Sequence, residues 1–178
     1  MVSAKSFQDV QEVPDLPGVD PELNHTLEVR DSFGDVRRWH YLDNARQLEK
    51  RGVNPRGTLL CVHGNPTYSF LYRSLFNDEM LEAGWRVVAV DQLEMGYSER
   101  TGRERRLQDR ITDLSLFTDA LGLVGNVVTV GHDWGGIVSI GWALDNRHDV
   151  IGMILTNTAI HQGLGESLPA SLQLATAP

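Results

Sequence analysis

The sequence predicts an α/β fold in which a mostly parallel sheet carries helices on both faces and follows an N-terminal β-hairpin. Four short runs rich in apolar and β-branched residues occupy positions 58–63, 86–91, 126–131 and 150–156, as is typical of strands buried on both faces of a parallel sheet. Helical patterns separate these runs, and such alternation indicates parallel βαβ units. The length of 178 residues, with 41% hydrophobic and 22% charged residues, suits one globular domain.

The amino-terminal elements precede this alternation of strands and helices. Residues 1–25 contain three prolines among acidic residues, which predicts an irregular lead-in rather than a domain. Strands at 27–30 and 36–42 flank the segment SFGD at 32–35, whose glycine suits a tight turn. We therefore expect a hairpin at the start of the core.

Helices are predicted to begin near Tyr68, Arg105 and Trp134. In the second helix, apolar residues recur at helical spacing and form one buried stripe, made of Leu107, Ile111, Leu114, Phe117 and Leu121. Five arginines lie between residues 100 and 110, interleaved with acidic residues. Mixed charge of this kind favours a solvated helix entry over a clamp for an acidic partner or a carboxylated substrate.

Composition argues against several classes of protein. The net charge of −8 does not suit a nucleic-acid or anionic-membrane surface. Cys61 is the only cysteine and lies in a predicted buried strand, so neither a disulfide framework nor a thiolate metal site is expected. The start has no signal-peptide pattern and no run approaches membrane-spanning length. We expect a cytoplasmic protein with no transmembrane segment and no nucleic-acid partner.

The first chemical motif is the segment GHDWGG at 131–136, directly behind an apolar run. Small residues around a central side chain, between a strand and a helix, are typical of a nucleophile elbow, whose central residue has a strained backbone. The central residue here is Asp133. Aspartate is ionised near neutral pH and attacks carbon without a base to activate it, so the motif predicts an aspartyl-ester enzyme. On this motif alone, a turn with a simple helix cap stays an alternative.

The second motif is the segment HGNPT at 63–67, where a predicted strand ends. In enzymes built on such an elbow, this loop supplies one backbone N–H of an oxyanion hole, and the residue after the nucleophile supplies the other. These residues are Asn65 and Trp134. The two motifs lie 133 − 63 = 70 residues apart, which suits neighbouring strands of one sheet. Together they favour function over a Gly-Asn-Pro turn.

Together, the two motifs resemble the haloalkane dehalogenase group of the α/β-hydrolase superfamily. The resemblance implies an α/β-hydrolase fold with Asp133 as the catalytic nucleophile. It also implies that the Asn65 amide and the Trp134 indole N–H stabilise the leaving anion. Related epoxide hydrolases usually carry an aromatic residue where Asn65 stands, so Asn65 favours the dehalogenase group. No cofactor and no metal are expected.

Two further segments resemble a narrower family, the β-lactone decarboxylases of bacterial long-chain olefin biosynthesis. Residues 90–102 read VDQLEMGYSERTG, where typical dehalogenases have Asp-Leu-Ile-Gly, and residues 155–162 read LTNTAIHQ. The resemblance implies a hydrophobic substrate, a β-lactone with two alkyl chains that yields carbon dioxide and a cis-alkene. It also implies an olefin-pathway ligase or thiolase as partner. Haloalkane dehalogenase is the alternative, followed by epoxide hydrolase, and attack on the ring carbon or on the carbonyl stays open.

The general base is where the sequence departs from this family. A catalytic histidine and its acid should follow far downstream of the nucleophile, yet only His148 and His161 come after Asp133. His148 lies in a polar turn predicted to be exposed, and His161 follows the wrong strand to serve as the base. We therefore expect the acid and the histidine to lie beyond residue 178.

The predicted organisation is the lead-in, the N-terminal part of the α/β-hydrolase core at 26–162, and the start of a cap insertion at 163–178. One alternative is not an enzyme: a shortened hydrolase-like binding module whose Asp133 ligates a partner. Such a module has no need for a strained elbow, so we favour the enzyme.

Overall fold

The computed structural model describes residues 13–159. Six strands form one sheet: β1 (Asn24–Arg30), β2 (Val36–Asp43), β3 (Gly57–Val62), β4 (Trp85–Val90), β5 (Val127–His132) and β6 (Val150–Thr156). Their spatial order is β1-β2-β4-β3-β5-β6. The pairs β1–β2 and β2–β4 are antiparallel, whereas β4–β3, β3–β5 and β5–β6 are parallel. The prediction of a mostly parallel sheet that follows a hairpin is confirmed.

The parallel strands lie within one residue of their predicted positions, because strands buried on both faces are apolar along their whole length. In β3, Leu60 and Val62 pack into one core cluster, while Leu59 and Cys61 pack into the cluster on the other face. The Cys61 thiol is buried as expected, and burial raises its pKa.

The helices are α1 (Ala45–Lys50), α2 (Asp78–Glu82), α3 (Leu107–Ala120) and α4 (Trp134–Asp145), with 3₁₀ helices at Pro21–Leu23 and Ser69–Leu75. The α3 stripe is confirmed, since its central residues are buried and its outer residues pack against the same cluster. The helix expected near Tyr68 is a 3₁₀ helix held by tertiary hydrogen bonds. Its Ser69 N–H donates to Asp91 Oδ1 at 2.6 Å, and the Tyr72 hydroxyl donates to the Val62 carbonyl at 2.7 Å.

Two expectations near the hairpin need correction. Strand β1 begins at Asn24, three residues earlier than the sequence predicts. The arginine-rich entry to α3 is not solvated throughout: Arg105 is buried, with its guanidinium 2.9 Å from Asp31 and 2.8 Å from Asp113. The described part of the lead-in packs on the sheet through Leu16, Val19 and Leu23. The predicted cap start at 163–178 lies outside the described residues.

Candidate active site

Asp133 occupies the sharp turn between β5 and α4. Its backbone has φ 53° and ψ −126°, a conformation that costs a residue with a side chain on the order of 1–3 kcal/mol. Three hydrogen bonds support it. The Asp133 N–H donates to the Thr156 carbonyl at 3.1 Å, and the Asp133 carbonyl accepts from the Gly136 N–H at 3.0 Å and from the Thr158 hydroxyl at 2.8 Å. The end of β6 thus stabilises the strained turn.

The glycines on either side of Asp133 allow the strand and the helix to pass closely. A Cβ on Gly135 would overlap the Val62 carbonyl and lie 2.5 Å from the His63 carbonyl oxygen. A Cβ on Gly131 would lie 2.6 Å from the Gly136 Cα. Both positions therefore require glycine, as predicted for an elbow.

The two predicted anion-binding residues meet at the Asp133 carboxylate. The Asn65 backbone N–H donates to Asp133 Oδ2 at 3.1 Å. Hydrogen bonds from the Trp134 and Asn65 backbone N–H groups lower the pKa of Asp133 below its ordinary value. Residues Val62 and Gly131 are partners in the parallel β3–β5 register, which places the two loops side by side. The structure therefore brings Asn65, Asp133 and Trp134 together around one ionised carboxylate.

Trp134 is half exposed. The Asn65 side chain is also exposed. The backbone N–H groups of Asn65 and Trp134 thus lie next to the Asp133 carboxylate. N–H groups placed in this way stabilise negative charge that develops in a transition state.

A surface cleft of about 400 Å³ adjoins the site through Asn65. It lies between the loop after β3 and the loop after β4, and its walls include Pro66, Tyr68, Met95 and Tyr97. These side chains offer both apolar surface and aromatic rings to a ligand. The loop after β4 also contributes Gly96 to this wall.

A buried carboxylate beneath the cleft was not predicted. Asp91 accepts hydrogen bonds from the Ser69 N–H at 2.6 Å, from the Tyr97 N–H at 2.8 Å and from His40 Nδ1 at 2.8 Å. Burial alone would raise the pKa of Asp91, but its hydrogen bonds lower the pKa below the ordinary value. The bond from His40 has the largest lowering effect. Asp91 thus joins the loops that form the cleft. Its position directly after an apolar strand was the available signal.

His148 does not belong to the site. It is exposed in the turn before β6, at the amino end of the strand, whereas Asp133 follows the carboxyl end of the neighbouring parallel strand. The two residues therefore lie at opposite ends of the sheet, and the predicted exposure of His148 is confirmed. His161 lies outside the described residues.

Among residues 13–159, no group of three or more His, Cys, Asp or Glu side chains is arranged to hold a metal ion. Within the same part of the chain, no helix has the length and apolar character needed to cross a membrane.

The chain is similar to known proteins in sequence and in fold. Residues 53–177 match the family described as serine aminopeptidase, S33. The chain is 32% identical over 116 residues to a cis-3-alkyl-4-alkyloxetan-2-one decarboxylase of Xanthomonas campestris, covering 61% of this chain and 38% of that relative. It is 37% identical over 140 residues to haloalkane dehalogenase 2 of Mycobacterium tuberculosis, covering 78% of this chain and 44% of the relative.

A solved structure shares the fold. Haloalkane dehalogenase DpaA from Paraglaciecola agarilytica superposes with a TM-score of 0.70 at 28% identity, covering 89% of this chain and 50% of that one. The chain thus spans about two fifths of the length of the two curated relatives, 38% and 44%.

The fold and the elbow define an α/β-hydrolase. The chain belongs to the family described as serine aminopeptidase, S33, and within the α/β-hydrolases it is haloalkane dehalogenase-like. The family description refers to serine, whereas the centre of this elbow is Asp133.

Proposed function

We propose that this protein is an α/β-hydrolase-fold enzyme whose nucleophile is Asp133 and whose substrate is a β-lactone with two alkyl chains. The observation that carries the proposal is the Asp133 carboxylate. It stands on a strained backbone and accepts hydrogen bonds from the Asn65 and Trp134 backbone N–H groups. A carboxylate of lowered pKa is ionised at neutral pH and needs no base before it attacks carbon.

The arrangement suggests separate roles for the two carboxylate oxygens. The oxygen that accepts from Asn65 becomes the carbonyl oxygen of a covalent ester, while the other oxygen attacks the substrate. Attack on the ring carbon breaks its bond to the ring oxygen and leaves a free carboxylate. Loss of carbon dioxide then moves the released electron pair into the new C=C bond and expels Asp133 as carboxylate, so the enzyme is regenerated. Attack on the lactone carbonyl is the alternative, and its developing oxyanion also needs N–H donors.

The β-lactone assignment has two supports. One is the similarity to the Xanthomonas decarboxylase, at 32% identity, and the other is the segment 92–95 that departs from the dehalogenase pattern. Haloalkane dehalogenase is the second candidate, favoured by the 37% identity to the mycobacterial enzyme over a longer stretch. Its leaving atom would be halide, stabilised by Asn65 and the Trp134 indole. Epoxide hydrolase ranks third. Cytoplasmic location and a ligase or thiolase partner stay predictions.

Product analysis separates the two main candidates. The full product of the gene that encodes these residues should be offered a cis-3,4-dialkyl β-lactone and a panel of bromoalkanes in parallel. We expect carbon dioxide and cis-alkene to form at least tenfold faster than bromide. Faster bromide release would select the dehalogenase instead.

The Asp133→Asn variant tests the nucleophile in the same assay. The amide is uncharged and a poor nucleophile, so turnover should fall by at least a thousandfold, while the circular dichroism spectrum should stay that of the wild type. Intact mass spectrometry must exclude deamidation back to aspartate. Activity above a few per cent without deamidation would refute the role of Asp133.

A further inference from the structure

The loop that presents Asn65 to Asp133 is hydrogen-bonded to Gln92, through both its side chain and its backbone. Gln92, two residues after β4, is 5% exposed. Its side-chain amide Nε2 donates to the His63 backbone carbonyl at 2.6 Å. Its backbone N–H donates to His63 Nε2 at 3.0 Å. One residue therefore binds both the main chain and the ring of His63.

These bonds define the state of the His63 ring. Because Nε2 accepts a hydrogen bond from an N–H group, it carries no proton, and the proton lies on Nδ1, which donates to the Gly64 carbonyl at 2.8 Å. Burial lowers the pKa of His63, in keeping with a neutral ring. The fully buried ring is thus a fixed bracket for the backbone at residues 63 and 64, and it is not available as a proton carrier at the surface.

The position of the His63 carbonyl matters for the site. This oxygen accepts from Gln92 and faces Gly135, at the start of α4. The next two residues lead to the Asn65 N–H, which donates to Asp133. A shift of the His63 carbonyl would therefore move the N–H that stabilises the carboxylate.

We infer that Gln92 is a positioning residue: it sets the orientation of the anion-binding loop through His63, and thereby the alignment of the Asn65 N–H with Asp133. The side chain does not act by touching the substrate, because it is buried and bound to His63. The inference about reaction rate rests on the proposed function, whereas the inference about the loop does not.

The first measurement is hydrogen–deuterium exchange of the peptide that covers residues 63–68. In Gln92→Leu, which keeps a similar volume but has no amide, we expect the backbone amides of this peptide to exchange at least tenfold faster. Gln92→Asn should behave in the same way, since its shorter side chain does not reach the carbonyl. It provides the test if the leucine variant does not fold. Unchanged exchange in a folded variant would overturn the inference.

The matched control is Thr118→Val. This change also removes a buried hydrogen bond, which the Trp142 indole N–H donates to the Thr118 hydroxyl at 2.9 Å, where α3 packs against α4. It removes as well the bond of 3.0 Å that the same hydroxyl donates to the Ser115 carbonyl. We expect a lower melting temperature with unchanged exchange at 63–68. Equal acceleration in this variant would show that the effect in Gln92→Leu reflects general loosening, and would also overturn the inference.

The second measurement is the first-turnover rate with a cis-3,4-dialkyl β-lactone as a function of pH, on the full gene product. In Gln92→Leu the rate should fall at least tenfold, and its acid limb should move to higher pH because Asp133 is less well stabilised as carboxylate. In Gln92→Glu the rate relative to wild type should rise as the pH falls, since only the protonated carboxyl can donate to the His63 carbonyl. An unreactive wild-type protein would refute the proposed function while the exchange result still decides the role of Gln92. A reactive wild type with an unchanged Gln92→Leu profile would refute the role of Gln92.

Discussion

At the scale of single residues, the site depends on how closely two backbones approach. The elbow holds Asp133 at positive φ because the hydrogen bonds to Thr156, Gly136 and Thr158 outweigh the local strain. The same turn presses the first residues of α4 onto the end of β3, where only a missing side chain leaves room. The reactive geometry is thus a property of packing as well as of the aspartate.

The tolerance of glycine positions tests this packing. Gly135→Ala should destabilise the protein by about 3 kcal/mol, because the new methyl group would overlap backbone carbonyls that cannot rotate away. Gly152→Ala is the control, since its nearest contact would be an ordinary 3.7 Å to Val128. It should cost nothing and gain up to about 1 kcal/mol. Urea unfolding of both variants measures these values, and equal stabilities would contradict the close approach seen at Gly135.

At the scale of elements, a buried ion network joins the hairpin to α3. Arg105 contacts Asp31 at 2.9 Å and Asp113 at 2.8 Å, and none of the three side chains has more than 2% exposure. Asp31 also accepts from the Phe33 and Asp35 N–H groups at 2.9 and 3.0 Å, which closes the hairpin turn. The network fixes the β1–β2 turn against the amino end of α3.

The sequence predicted the helix but not this network. Apolar spacing was enough to find the buried stripe of α3, because period and burial are local properties. Arg105 and Asp31 lie 74 residues apart, so no local charge pattern distinguishes this arginine from its exposed neighbours. The six-residue helix α1 and the hydrogen bonds of Gln92 were missed for the same reason, since tertiary contacts determine them.

Acid titration tests the network. Burial alone would raise the pKa of Asp31, but hydrogen bonds from Arg105, from the Asp35 backbone and from Arg37 lower it from 3.8 to about 2. Because the pKa of Asp31 is lower in the folded state than in the unfolded state, its carboxylate stabilises the fold at pH values above the unfolded-state pKa. This stabilisation is lost as the pH falls from about 5 to about 2. Its size is about 2 kcal/mol.

The measurement is urea unfolding between pH 6 and pH 2. Asp31→Asn should be less stable at pH 6, since it leaves Arg105 with one fewer carboxylate. Its further loss of stability on acidification should be smaller than that of the wild type by about 2 kcal/mol. Asp35→Asn is the control for loss of one negative charge, since it replaces a half-exposed carboxylate of the same turn. A slope change equal to that of Asp31→Asn would attribute the effect to net charge. Equal slopes for Asp31→Asn and wild type would contradict the assignment.

At the scale of the whole molecule, the candidate site lies where the parallel strands of the sheet have their carboxyl ends. The loop after β3, the segment after β4, the elbow after β5 and Thr158 after β6 all follow the carboxyl ends of parallel strands, as expected of open α/β sheets. Because β3 and β5 end side by side, the two motifs meet although they lie 70 residues apart in the sequence. The prediction that Asn65, Asp133 and Trp134 are neighbours rests on this arrangement, and the structure has them in contact. The hydrogen bonds that Gln92 and Asp91 make beneath these residues could not be predicted from the sequence, because such partners are far apart in the chain and follow no sequence period.

The other conspicuous feature at this scale is the sheet edge at β6. Among the described residues, β6 pairs only with β5, and its Ile151, Met153, Ile154 and Leu155 side chains are 37% to 59% exposed. The strand has no charged residue and no proline, so it lacks the usual features that prevent edge-to-edge pairing.

We expect the 178-residue chain to self-associate through this strand at tens of micromolar. Ile154→Lys should shift the weight-average mass towards that of the monomer, because a lysine on an edge strand opposes pairing with a second chain. Val124→Lys is the control: it also replaces an exposed aliphatic residue, 79% accessible, with a lysine, but it lies outside β6 and should leave association unchanged. Size-exclusion chromatography with light scattering over a tenfold concentration range measures the masses. A wild-type chain that stays monomeric throughout that range would show that the exposed apolar face of β6 does not drive association, and an equal effect of both lysines would attribute any change to net charge alone.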